Sequence, residues 1–150
     1  MVNVRPVLIP DADAWLRMRC ELWPEEREGE HAEEAQAYFA GDFPRGPWQV
    51  HLAEDSDGQP LGFAEVSIRP YAEGCSTARV AYLEGWFVEA EARGRGVGRA
   101  LVEAARAWGR DQGCSELASD AEPENGVSIA AHLRLGFEDA GLVRCFRMDL

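Results

Sequence analysis

The 150-residue chain contains no lysine. Fifteen arginines carry all of its basic side-chain charge against 27 acidic residues, and the net charge is −12. The missing lysine excludes the phosphate-binding pattern G-x-x-x-x-G-K-[ST]. The acidic surface repels nucleic-acid phosphates and anionic membranes and attracts polycations, and it also serves solubility. Cysteine is scarce. Cys20, Cys75, Cys114 and Cys145 show no C-x-x-C spacing, so no metal site and no redox motif is expected, only free thiols in a reducing cytoplasm. No apolar run approaches the roughly 18–20 residues of a membrane span. The opening MVNVRPVLIPDADAW lacks the basic-then-apolar pattern of a signal peptide. There is no internal repeat and no low-complexity stretch. The expectation is one domain over residues 1–150, acting in the cytoplasm.

Apolar periodicity orders the rest. Val2–Val7 alternates and predicts a strand. Asp11 and Asp13 are candidate caps for a helix whose apolar face is Ala14, Trp15, Met18 and Leu22, stopped by Pro24. The charged segment Glu25–Glu30 leads to a second helix over His31–Ala40. Strands follow at Trp48–Ala53 and Leu61–Arg69, joined by an Asp57-Gly58 turn. The next strand, Arg79–Val88, contains Gly85, which signals a bulge or the close approach of another backbone. A helix from Arg99 to Arg110, a strand at Cys114–Asp120, a helix opening at Pro123-Glu124-Asn125 and two final strands around Gly141 complete the chain. The order β α α β β β α β α β β predicts a mixed α/β (α+β) fold. Its central twisted sheet has six or seven strands flanked by helices.

The most informative stretch is Trp86–Arg110. A strand ending in Trp86, Phe87 and Val88 passes through Arg93-Gly94-Arg95-Gly96-Val97-Gly98 into a helix that begins near Arg99. The free N–H groups and positive dipole of a first helical turn favour an anion, and glycines let the backbone approach it. The spacing differs from the dinucleotide pattern G-x-G-x-x-G and lies in the wrong half of the chain for it. The pattern R-x-x-G-x-G resembles the acyl-CoA pyrophosphate loop of the GCN5-related N-acetyltransferases (GNAT). The element order matches that superfamily from end to end, so the resemblance implies a GNAT-type acyl-CoA N-acyltransferase fold. Finer segments resemble the aminoglycoside 6′-N-acetyltransferases of type I: Arg19-Cys20-Glu21-Leu22-Trp23-Pro24, Gly62–Arg69, Tyr71–Cys75, Tyr82–Val88 and Glu116–Asp120.

The resemblance implies acetyl transfer from acetyl-CoA to the 6′-amine of aminoglycosides, and with it antibiotic resistance. It implies a cofactor set of Trp86, Phe87, Val88, Arg93, Gly94, Arg95, Gly96, Val97, Gly98, Arg99 and Asn125. The Val88 N–H is placed for the thioester oxygen, and Asn125 for the pantetheine side. By the same resemblance Trp23, Tyr71, Glu84 and Asp120 fall at substrate-contact positions and Glu26 near the mouth of the site. The chemistry agrees: a polyammonium substrate needs clustered carboxylates, and Glu84 and Asp120 lie toward the carboxyl ends of neighbouring parallel strands, where α/β sheets bind ligands. Both acids are candidates to take the proton from the arriving ammonium. Glu84 also has Arg69 or Arg79 as an ion-pair partner, and Asp120 can act as a helix cap. His132 stands where many members have a tyrosine that protonates the leaving thiolate; it can donate that proton or only pack. Past Gly136-Phe137 the family places another acid, where this chain has Gly141, with Glu138 and Asp139 just before it. The alternatives are transfer to another cationic amine, such as a polyamine or a protein N-terminus, and a non-catalytic acyl-CoA-binding module. An exposed last strand predicts a homodimer by strand exchange or sheet extension.

Overall fold

A computed structural model describes residues 1–150. Its five strands are hydrogen-bonded in sequence order: β1 (Asn3–Pro6), β2 (Trp48–Glu54), β3 (Pro60–Arg69), β4 (Val80–Val88) and β5 (Leu117–Ser119). β1 to β4 are antiparallel neighbours, and β5 is parallel to β4. The helices are α1 (Ala12–Leu22), α2 (Glu28–Ala40), α3 (Val97–Asp111) and α4 (Gly126–Arg134). In the β2–β3 hairpin, Asp55 Oδ1 accepts the N–H groups of Asp57 and Gln59, each at 2.9 Å, and Gly58 takes φ +78°. α2 begins three residues before the expected His31, because Glu28 and Glu30 suit the positive end of a helix.

The strand count is five, not six or seven. The alternation of Val143, Cys145 and neighbouring residues predicts a strand, but residues 138–150 make no backbone hydrogen bond to the sheet. A strand exists only beside a partner, and within one copy of the chain none is offered here. Leu142, Val143, Phe146, Met148 and Leu150 are all exposed.

Two layers of helices cover the sheet. α3 lays Val97, Leu101, Val102 and Ala105 on Ala64, Val66, Ala81 and Leu83. α1 and α2 cover the opposite face, packing Trp15, Met18 and Ala35 against Val50, Leu52, Phe63 and Phe87. The alternation along β4 slips at Glu84. Ala81 and Leu83 face α3, and so do Trp86 and Val88, one residue out of phase. The register confirms a bulge: Glu65 pairs with Gly85 but Val66 with Leu83. The bulge expected at Gly85 is therefore present. The close neighbour of that glycine is an indole, not a backbone, since a Cβ there would lie 2.6 Å from Trp23 Cη2.

Beneath the bulge Glu65 is buried, in the β3 slot that faces α1. It accepts a hydrogen bond from Trp15 Nε1 at 3.0 Å, and Arg19 Nη1 stands 3.5 Å away. The Arg19 guanidinium pairs with Glu34 and lies 5.6 Å from the Trp15 ring and 5.0 Å from that of Trp23. Burial pushes the Glu65 carboxyl up to about 7, against the opposing pull of Arg19. Its folded pKa then lies above its unfolded one. Its contribution to stability is fully present below the ordinary carboxylate range and is lost as pH rises from about 4.5 through about 7. Glu65→Gln keeps an acceptor for Trp15 and cannot ionise. In urea unfolding the variant should gain on the wild type by on the order of 2 kcal/mol between pH 5 and 7.5. A difference moving the other way would mean that Glu65 is folded as an anion paired with Arg19.

Candidate active site

β5 pairs with β4 only through Ala81–Leu117, Tyr82–Ala118 and Leu83–Ser119. Beyond Ser119 β4 runs on from Glu84 to Val88 paired with β3 but not with β5, which leaves a gap in the pairing between the carboxyl ends of the two parallel strands. The Glu89 N–H donates to Leu61 O at 2.9 Å. By the alternation of an antiparallel ladder, Phe87 is then bonded to β3, and the N–H groups of Trp86 and Val88 point into the gap. The gap thus has an open strand edge that an extended chain can pair with.

The anion-binding turn adjoins that edge. Gly94 and Gly96 take φ +75° and +82°, a region that favours glycine, and a Cβ on either would meet nothing within 4 Å. Gly96 is the cap residue of α3 and offers no side-chain acceptor. The first helical bond runs from the Ala100 N–H to Gly96 O at 3.0 Å, which leaves the N–H groups of Val97, Gly98 and Arg99 free. The helix begins at Val97, two residues earlier than the sequence pattern indicates. Trp86 Nε1 donates to Gly98 O at 3.2 Å and fastens the turn to β4. Arg93 folds back so that its Nε donates to Val88 O at 3.2 Å, while Arg95 and Arg99 remain exposed. An open glycine turn with three free donors and nearby guanidinium groups fits the pyrophosphate of CoA.

The opposite face of the gap is acidic. Glu84, displaced by the bulge, accepts from Ser67 Oγ at 2.6 Å and from Arg69 Nε and Nη2 at 2.8 and 2.6 Å. Of its two possible partners Arg69 is the one engaged, whereas Arg79 Nε bonds Gln112 O at 2.7 Å. The Arg69 guanidinium also lies 3.6 Å from the Tyr82 ring centroid, and Tyr82 OH donates to Asp120 Oδ2 at 2.7 Å. Burial and the Asp120 carboxylate both hold the Tyr82 phenol in its protonated form by raising its pKa. Asp120 is exposed and does not cap a helix. Ser67 and Tyr82 are absent from the sequence-derived site, and Arg69 enters it only as one of two possible partners of Glu84. Their signal was the period of two: Ser67 and Arg69 share one face of β3, and Tyr82 and Glu84 share that face of β4.

Trp23 lies against Gly85 and the core beneath α1, its ring stacked on His31 at 6.3 Å with planes 17° apart. Glu26 lies 3.5 Å from His31 Nδ1 and on the rim of a hollow of about 360 Å³ lined by Glu30, Glu33, Glu34 and Ala37. Tyr71 is exposed in the β3–β4 loop. Glu138 and Asp139 are exposed in the tail, which reaches that loop where Ala140 abuts Gly74. Asp139 Oδ1 accepts the Gly141 N–H at 2.8 Å. The Asn125 side chain accepts the Ser128 N–H at 3.1 Å and caps α4. The contacts therefore link Glu84 to Asp120 through Arg69 and Tyr82, and Trp23 touches the same strand one residue on, at Gly85. Glu26 is at His31, Tyr71 is exposed in its loop, and neither has a contact with Glu84 or Asp120, while Asn125 has a structural bond of its own.

The profile of the Acetyltransferase (GNAT) family matches residues 12–137. An aminoglycoside N(6′)-acetyltransferase type 1 of Klebsiella aerogenes is 51% identical over 147 residues, covering 98% of this chain and 96% of the relative. A protein of the same name from Stenotrophomonas maltophilia is 40% identical, with 99% and 94% covered. The structure of AAC(6′)-Iy in complex with the bisubstrate analogue CoA-S-monomethyl-acetylneamine superposes with a TM-score of 0.91. It is 34% identical, with 100% of this chain and 99% of that one covered.

Proposed function

This chain belongs to the Acetyltransferase (GNAT) family, and on that premise we propose that it transfers the acetyl group of acetyl-CoA to the 6′-amine of aminoglycosides and so confers resistance to them. The observation that carries this reading is the meeting of two opposite charges at one strand end. Free N–H groups and arginines on the α3 side suit the anionic donor, and Glu84 and Asp120 on the other face suit a polycationic acceptor. The names of the relatives, and the CoA–aminoglycoside conjugate bound by AAC(6′)-Iy, support the same substrates.

The N–H groups of Val97, Gly98 and Arg99 hold the pyrophosphate, and the edge of β4 at Trp86 and Val88 aligns the pantetheine arm. The Val88 N–H donates to the thioester oxygen as charge develops on it. The aminoglycoside arrives as an ammonium, which the carboxylates orient before it can attack. Glu84 already accepts three hydrogen bonds, two of them from the Arg69 guanidinium, whereas Asp120 accepts one and is exposed. Asp120 therefore takes the proton that converts the ammonium to a nucleophilic amine and passes it to solvent. No covalent enzyme intermediate is needed.

The enzyme works in the cytoplasm, consistent with four unpaired cysteines. It acts as a homodimer: the apolar tail after Gly136 pairs with a second copy, and light scattering should return twice the chain mass of 16.6 kDa. No helix is long and apolar enough to cross a membrane. Acetyl-CoA turnover with kanamycin or tobramycin, set against spermidine and a peptide amine, tests the function. Turnover should be highest with the drugs; equal or greater turnover of the other amines would replace this reading with a different amine acetyltransferase.

A further inference from the structure

His132 lies in the gap on the α3 side, edge-on to Trp86 at 5.1 Å and to Phe137 at 5.1 Å. Its two ring nitrogens have different partners. Nδ1 is 2.7 Å from the carbonyl oxygen of Ser128, one turn back in α4. A carbonyl only accepts, so Nδ1 carries the proton of the neutral ring. Nε2 is then the acceptor, and its neighbour at 2.8 Å is the hydroxyl of Ser119. A neutral His132 therefore has no free N–H with which to protonate a thiolate directly.

Ser119 is the last residue of β5 and the last to pair with β4, opposite Leu83. Its Oγ is 3.4 Å from Leu83 O, between the strands, so the hydroxyl stands at the apex of the gap. With its proton directed at His132, its remaining lone pairs are free to meet a donor entering the gap. Ser119 immediately precedes Asp120, whose side chain goes to the opposite face to meet Tyr82.

We infer that Ser119 is a further catalytic residue, which with His132 behind it forms a relay carrying a proton from the attacking nitrogen to the leaving sulfur. The inference rests on the acetyltransferase reading above. Two protons must leave the substrate nitrogen. The first goes to Asp120 before attack. The second becomes acidic as the C–N bond forms. It passes to Ser119 Oγ while the hydroxyl proton moves to His132 Nε2, making an imidazolium still bonded to Ser128 O. As the C–S bond breaks and sulfur takes the electron pair, Ser119 gives its proton to sulfur and recovers one from Nε2. Serine and histidine end as they began, the amide is neutral, and the thiol is formed.

The test compares Ser119→Ala, Ser119→Thr, His132→Phe and the double variant Ser119→Ala/His132→Phe, using acetyl-CoA and the amine that the wild type turns over fastest. Ser119→Ala should lower kcat at least tenfold, with KM for either substrate changed less than about twofold, since proton transfer contributes typically 10²–10⁴-fold. His132→Phe should lower kcat similarly. The double variant should be no slower than the worse single one, because the pair acts as a unit. Ser119→Thr, which keeps the hydroxyl, should restore most of kcat. The solvent deuterium isotope effect on kcat should differ between wild type and Ser119→Ala. Unchanged kcat in Ser119→Ala, or losses that multiply in the double variant, would overturn the relay while leaving the acetyltransferase reading intact. A wild type inactive on every aminoglycoside and other amine would sink that reading and the relay with it.

Discussion

Asp120→Asn is expected to lower kcat/KM for an aminoglycoside by about 10²–10³-fold while leaving the KM for acetyl-CoA and the thermal stability nearly unchanged. The substitution preserves shape and the acceptor for Tyr82, whose hydroxyl is 2.7 Å from Oδ2. It removes one negative charge facing the ammonium and the group that takes its first proton. The side chain is exposed, so no desolvated partner is left stranded. Glu84→Gln should also weaken aminoglycoside binding, but less informatively, because it breaks the pairing with Arg69 as well. That pair is partly exposed and worth at most about 1 kcal/mol to stability. Steady-state kinetics with each substrate varied separates the two effects. An Asp120→Asn enzyme with wild-type turnover would transfer the base role away from this carboxylate.

Gly62→Ala should destabilise the protein by about 3 kcal/mol or more, lowering Tm by roughly 6–12 °C. A Cβ on Gly62 would sit 2.3 Å from Phe87 O and 3.2 Å from Val88 Cα, both backbone atoms of the adjoining strand. No side-chain rotation relieves that contact; β3 and β4 must separate. The separation would occur at Val88, so the thioester contact should be lost along with stability. Gly29→Ala is the control, since a Cβ at that helical position meets nothing within 4 Å. It should be neutral or stabilising by up to about 1 kcal/mol. Thermal unfolding of both variants checks the contrast, and a Gly62→Ala protein as stable as wild type would show that the β3–β4 spacing is not as tight as described.

Much of the site is written locally in the chain. The glycine loop before α3 and the bulge signalled by Gly85 follow from spacing and periodicity, while Glu84 and Asp120 are singled out by the family resemblance together with their place near two strand ends. Choices among equivalent partners do not. Arg69 and Arg79 both lie near Glu84 in sequence, but Arg69 shares its sheet face and Arg79 turns toward the end of α3. Glu65 occupies a slot of β3 that alternation alone leaves ambiguous, and only the packing of Trp15 and Arg19 over it shows that a carboxyl is buried there. The role of His132 depends on a carbonyl one helical turn away, which decides the tautomer. After Gly141 alternation marks a segment fit to be a strand, not the neighbour it needs, and within one copy that neighbour is missing.

Transfer to the 6′-amine is measured by acetyl-CoA turnover on a matched pair of aminoglycosides that differ only at the 6′ position, one bearing an amine and the other a hydroxyl. Rapid release of CoA thiol is expected with the 6′-amine, with the product N-acetylated at that nitrogen, and no turnover is expected with the 6′-hydroxyl compound. Equal turnover of the two, or acetylation at another amine, would rule out the 6′-amine as the acceptor.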